Sequence, residues 1–145
     1  MMFDLRDFAR TLVETTPDAV IYAGADGTIR YWNDGATRMF GFTADEATGA
    51  SLDLIIPQSL RQRHWDGFNH TMRTGESRYG AGDTLAVPAL RKDGTRISVE
   101  FTIVPFHDSA GRIEGIAAVL RDVTARFEEL RNLRRQVADQ ARSAG

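Results

Sequence analysis

The sequence predicts an α+β domain: a five-stranded antiparallel sheet with short helices and one longer helix on one face, flanked by N- and C-terminal helices. Three observations carry this. Ile97, Val99, Phe101 and Ile103 alternate with polar residues, and a period of two puts all four on one face of a strand. Two strand-like runs come early and three come late, with turn signals at Ala25-Asp26-Gly27 and Arg91-Lys92-Asp93-Gly94 between neighbours. The stretch between the two groups is broken by glycines into short helical pieces, except for one amphipathic run from Pro57 to Glu76. Strands at both ends with helices between them fit a single covered sheet.

Taken in order, residues 1–15 read as a flanking helix. Phe3, Leu5, Phe8, Leu12 and Val13 recur at helical spacing, Asp4 supplies the N-cap, and Thr16-Pro17-Asp18 ends the run. Ala19 to Tyr22 and Thr28 to Trp32 form a hairpin around the Asp-Gly turn. Asn33 or Asp34 caps a helix from Gly35 to Phe40, which Gly41 stops. Thr43 and Glu46 have capping-box spacing, Gly49 ends that turn, and Leu52 to Ile56 packs ahead of Pro57. The long helix is opened by Pro57 and Ser59 and closed at Gly75. Leu60, His64, Phe68 and Met72 fall every fourth residue, so they share its inward face. Trp65 lies beside them, while Arg61, Arg63, Asp66 and Arg73 lie elsewhere on the helix. Strands over Thr84–Leu90, Ile97–Pro105 and Ile113–Leu120 complete a core spanning residues 16–123. In residues 124–145, Phe127, Leu130, Leu133 and Val137 line a thin apolar seam that Arg134 interrupts. Such a seam suits a coiled-coil or partner-docking helix better than a buried one.

Composition narrows the function. Hydrophobic residues make up 42% and charged residues 26%, as in soluble globular chains, and the formal net charge of −2 gives no general pull toward nucleic acid or an anionic membrane. No apolar run approaches the roughly 18 residues a membrane span needs. The N-terminus lacks a signal-peptide pattern, so a cytoplasmic location is expected. The absence of cysteine excludes thiolate metal sites, iron–sulfur clusters, covalent haem attachment and any cysteinyl adduct. Neither a nucleophile motif, a P-loop, an H-E-x-x-H helix nor a placed carboxylate pair is present, and the chain is not expected to be an enzyme.

The element order, together with Asp26-Gly27-Thr28-Ile29, Trp32-Asn33, Phe40-Gly41-Phe42 and Arg91-Lys92-Asp93-Gly94, resembles the PAS sensory domain family over about residues 10–124. Asp122-Val123-Thr124 resembles the short motif that joins a PAS core to its output helix. A narrower likeness lies in Ile55-Ile56-Pro57, Arg61, His64, Asp66-Gly67-Phe68 and Thr74-Gly75-Glu76, which resemble the oxygen-sensing haem PAS domains of the FixL type. Aligned without a gap, His64 falls on that family's proximal haem ligand. Trp65 departs from the pattern, because the family places the aspartate directly after the histidine. The resemblance implies a b-type haem (iron protoporphyrin IX) with His64 as metal ligand and Phe101 and Ile103 on its far side. The family's distal arginine is missing from Gly80-Ala81-Gly82-Asp83-Thr84-Leu85, which leaves Tyr79 or Thr84 as hydrogen-bond donors. Trp65, Phe68, Leu85, Val87, Ala118 and Leu120 are further pocket candidates. His70 stands where the family carries an arginine near a haem propionate. A diatomic gas (O2, CO or NO) or a redox change would be the signal, passed through a homodimer to a downstream partner.

Bland readings stand beside these. His64 can be a core histidine bonded to a carbonyl, His70 a plain surface residue, and the apolar candidates ordinary core. Arg61, Arg63, Arg73 and Arg78 can pair with propionates or form a solvated face, the latter being preferred for Arg63 and Arg73. At the level of the domain, a non-covalent flavin or another small ligand, or a ligand-free dimerisation module, are the alternatives.

Overall fold

The computed structural model describes residues 2–76 and 86–144. Arg78, Tyr79, Thr84 and Leu85, singled out above, lie outside the described residues. Helix α1 (Leu5–Thr15) begins at Asp4, whose carboxylate accepts the N–H groups of Arg6 and Asp7. Strands β1 (Ala19–Gly24) and β2 (Ile29–Trp32) pair antiparallel with Ile21 opposite Trp32. Helix α2 (Asp34–Phe40) is capped by Asn33 and closed by Gly41, and α3 (Ala44–Ala47) has the complete Thr43–Glu46 capping box. Strands β3 (Ala86–Leu90), β4 (Arg96–His107) and β5 (Ile113–Asp122) join the first two in one antiparallel sheet of order β2-β1-β5-β4-β3. Helix α5 (Thr124–Ala144) follows at once. The α+β fold read from the sequence is therefore present.

The long helix differs at its start. Gln58–Leu60 is a 3-10 turn closed by Leu60 N–H on the Pro57 carbonyl at 2.9 Å, and α4 proper runs over Arg61–Thr74. Ser59 does not cap it, and Leu60, which stands at the cap position, has no side chain that can. Without a capping oxygen the first turn tightens, a common way for a helix start to pair its free N–H groups. The far end follows the prediction, with Gly75 in the left-handed region at φ 74°.

One polar side chain organises the sheet's entry. Asn33, only 3% exposed, accepts from the Val20 and Ala36 N–H groups at 2.8 and 2.9 Å. It donates to the Val13 and Asp18 carbonyls at 2.7 and 3.1 Å. It thereby ties α1, β1 and α2 together with every hydrogen-bonding position used. The inner face of the sheet buries Ala19, Ile21, Ile29, Val99 and Leu120 against Ala36, Met39, Phe40 and Ile55. The outer face leaves Val104, Phe106 and Val119 exposed, and neither α1 nor α5 buries a residue.

Candidate functional site

Strand register explains why the inner face is hollow. Ala118 of β5 lies between Ile21 of β1 and Ile103 of β4, and Leu120 lies between Ala19 and Phe101. An alanine in the central strand removes volume from the floor, while α4 crosses above with Phe68 and His64 pointing down. Two adjoining cavities result. The inner one, of about 150 Å³, is lined by Ile21, Ile55, Val99, Ala118 and Leu120 among others. The outer one, of about 410 Å³, reaches Leu60 just ahead of α4, Arg63, Gly67 and Thr71 on α4, and Ala86 and Val87 on β3. His64, Phe68, Val87, Phe101, Ile103 and Ile116 line both. The larger volume falls in the range of small-molecule sites, roughly 300–1,000 Å³.

His64 is the polar feature of this lining that has no explanation in the fold. Its Nδ1 is buried and has no hydrogen-bond partner. Its ring stands edge-on to Trp65 (centroids 4.7 Å apart, 74° between planes) and tilted against Phe68 at 6.1 Å. Burial lowers its pKa from the usual 6.5, opposed by the charge of Asp53. Desolvation wins, so the neutral imidazole is the form in place near neutral pH, and neutral imidazole is the form that ligates metals. Among the described residues no three His, Asp or Glu side chains gather around an ion.

The predicted site residues divide into three groups. His64, Phe68, Val87, Phe101, Ile103, Ala118 and Leu120 come together at the cavity. Trp65 and His70 do not line it: Trp65 turns toward Gly27 of the β1–β2 turn while its indole N–H donates to Oδ1 of Asp53, in the turn ahead of Pro57, at 2.8 Å, and His70 is exposed on α4. Tyr79, Thr84 and Leu85 lie outside the described residues. Sequence reasoning passed over Ile56, Ile116 and Thr71; Arg63, read as solvent-facing, is exposed and also stands at the edge of the outer cavity. Ile116 was available from the same alternation that gives Ala118 and Leu120.

The family model described as "PAS fold" matches residues 13–128. Sensor protein FixL of Bradyrhizobium diazoefficiens is 29% identical over 134 residues, covering 85% of this chain and 25% of that protein. Oxygen sensor protein DosP of Escherichia coli is 27% identical over 108 residues, covering 72% of this chain and 13% of that protein. The chain thus spans a quarter or less of either relative. The crystal structure of a PAS domain from Colwellia psychrerythraea superposes with a TM-score of 0.73 at 20% identity, over 84% of this chain and 99% of that one. By the family match and the shared fold, this chain belongs to the PAS fold family.

Proposed function

We propose that this PAS domain is the sensing module of a signalling protein and holds b-type haem non-covalently, with His64 as the axial ligand. The observation that carries the reading is a neutral imidazole facing a cavity whose inner part is lined otherwise by apolar side chains. A single nitrogen donor cannot build a metal centre alone, but it suits a planar macrocycle that brings four equatorial donors of its own. When bound, the haem would supply an iron that takes a diatomic gas or changes oxidation state.

The chain's own residues do the rest. Phe101, Ile103 and Ile116 would give a bound ligand apolar contact, and Arg63 at the cavity's edge can meet an acidic group. Val99 lines the inner cavity, and its neighbour Ser98 is the point where the sheet meets the last helix. The Ser98 N–H donates to Thr124 Oγ1 at 2.9 Å, and the Val123 N–H donates to the Ser98 carbonyl at 2.8 Å. A displacement of β4 is therefore passed to the root of α5 through two hydrogen bonds. The exposed seam of Phe127, Leu130, Leu133 and Val137 on α5 would join two copies and present the change to a downstream partner.

The test is an absorption spectrum of the protein after haemin is added, before and after dithionite and carbon monoxide. A Soret band that moves with both, and that His64→Ala abolishes, is the expected result. A featureless spectrum overturns the haem assignment and leaves a PAS domain with another ligand or none.

A further inference from the structure

Imidazoles that ligate metals usually hold their orientation by donating the second ring nitrogen to a carbonyl or carboxylate. In this chain Nδ1 of His64 makes no such bond, yet the ring is closely confined. Trp65 meets it edge-on at 4.7 Å, and Trp65 in turn stands edge-on to Phe68 at 5.2 Å. Trp65 itself is fixed twice. Its N–H donates to Asp53 Oδ1 at 2.8 Å, and its six-membered ring presses on Gly27 so closely that a Cβ there would lie 2.2 Å from Cη2.

Asp53 is held as well. Arg61 donates through Nη2 to the Asp53 carbonyl at 3.3 Å and through Nε to the Ile56 carbonyl at 3.1 Å, pinning the turn that carries the carboxylate. The same carboxylate lies 3.9 Å from Arg61 Nε. None of its hydrogen bonds goes to His64, so apart from the pull of its charge its hold on that ring runs through the indole.

We propose that Asp53 and Trp65 are positioning residues for His64, fixing the plane of its ring by packing in place of the hydrogen bond that Nδ1 lacks. This rests on His64 being the ligand residue and adds what holds it. Phe68 packs against both rings, 6.1 Å from the imidazole and 5.2 Å from the indole. The hairpin turn at Gly27 is the fixed wall from which the arrangement is built. The arrangement also accounts for a tryptophan next to the histidine, since its indole reaches the turn at Gly27, borders the imidazole and carries an N–H that donates to Asp53.

The experiment uses the full chain with 15N-labelled histidine, first without cofactor and then titrated with haemin. Asp53→Asn, which keeps the acceptor oxygen but removes the charge, should leave haemin affinity as in the parent, and the His64 ring signals too at a pH where the ring is neutral in both proteins. Asp53→Ala and Trp65→Phe should shift or broaden the His64 ring signals, and Asp53→Ala should weaken haemin binding by about 10-fold or more, the usual effect of losing a ligand's support. Should Asp53→Ala fail to fold by circular dichroism, the Trp65→Phe and Asp53→Asn pair still decides the matter. Unchanged ring signals in a folded Trp65→Phe protein overturn the proposal. A parent protein that takes up no haemin, but whose His64 signals respond to Trp65→Phe, upholds the positioning and overturns the haem assignment alone.

Discussion

At the scale of single residues, His64 makes the fold sensitive to acid. Its folded pKa lies below the unfolded value of 6.5 because burial penalises the charged ring more than Asp53 favours it. Between those two values the unfolded chain binds more protons, so stability is fully present above about pH 6.5 and falls as pH drops through the folded value. His64→Leu should flatten this decline, and urea midpoints at pH 7.5 and 5.0 measure it; an equal decline in both proteins would place the acid sensitivity elsewhere. Gly27 gives a second prediction. Its φ of +78° and its contact with Trp65 exclude a side chain twice over, so Gly27→Ala should cost about 2 kcal/mol or more and shift the emission of Trp65. His64 was legible in the sequence because the helical period alone sets which residues share its face. The course of Trp65 was not, because it depends on Asp53 and Gly27, which reach it only through the tertiary fold.

At the scale of elements, the signals that sequence carries best are those settled within four residues. The Asp4 cap, the Thr43–Glu46 box and the Gly41 and Gly75 stops each need only their own turn, and each stands where the spacing put it. The start of α4 moved because a proline and a serine permit a helix without supplying a capping bond. Asn33 is a different case, since its role as a cap was legible but its grip on α1 was not. Its bond to the Val13 carbonyl spans 20 residues of sequence, and no local pattern announces it. Asn33→Ala would leave two buried N–H groups and two carbonyls short of a partner, a loss of about 3 kcal/mol or more. Thermal unfolding measures the loss, and limited proteolysis should cut first near α1. A variant as stable as the parent, with α1 still protected, would show that other contacts anchor the helix.

At the scale of the whole molecule, the sheet and the C-terminal helix are joined around Ser98 and by the Arg126–Glu100 ion pair. Asp122 accepts from both the N–H and the hydroxyl of Thr124, which frees the Thr124 oxygen to take the Ser98 N–H. Thr124→Val keeps the shape and removes this acceptor, so amide exchange at Ser98 and in the first turn of α5 should rise while the rest of the sheet is unaffected. Exchange at parental rates there would mean that the Val123–Ser98 bond suffices. The sheet order carries a consequence of another kind. Among the described residues strand β5 comes last, yet it lies between β1 and β4 and alone joins the two hairpins. During synthesis the early hairpin and the β3–β4 hairpin must therefore wait, each with an open edge, until residues 113–122 leave the ribosome. Assembly is then a single late closure between distant parts of the chain, the kind of step that makes refolding slow and leaves truncated products prone to stick to one another.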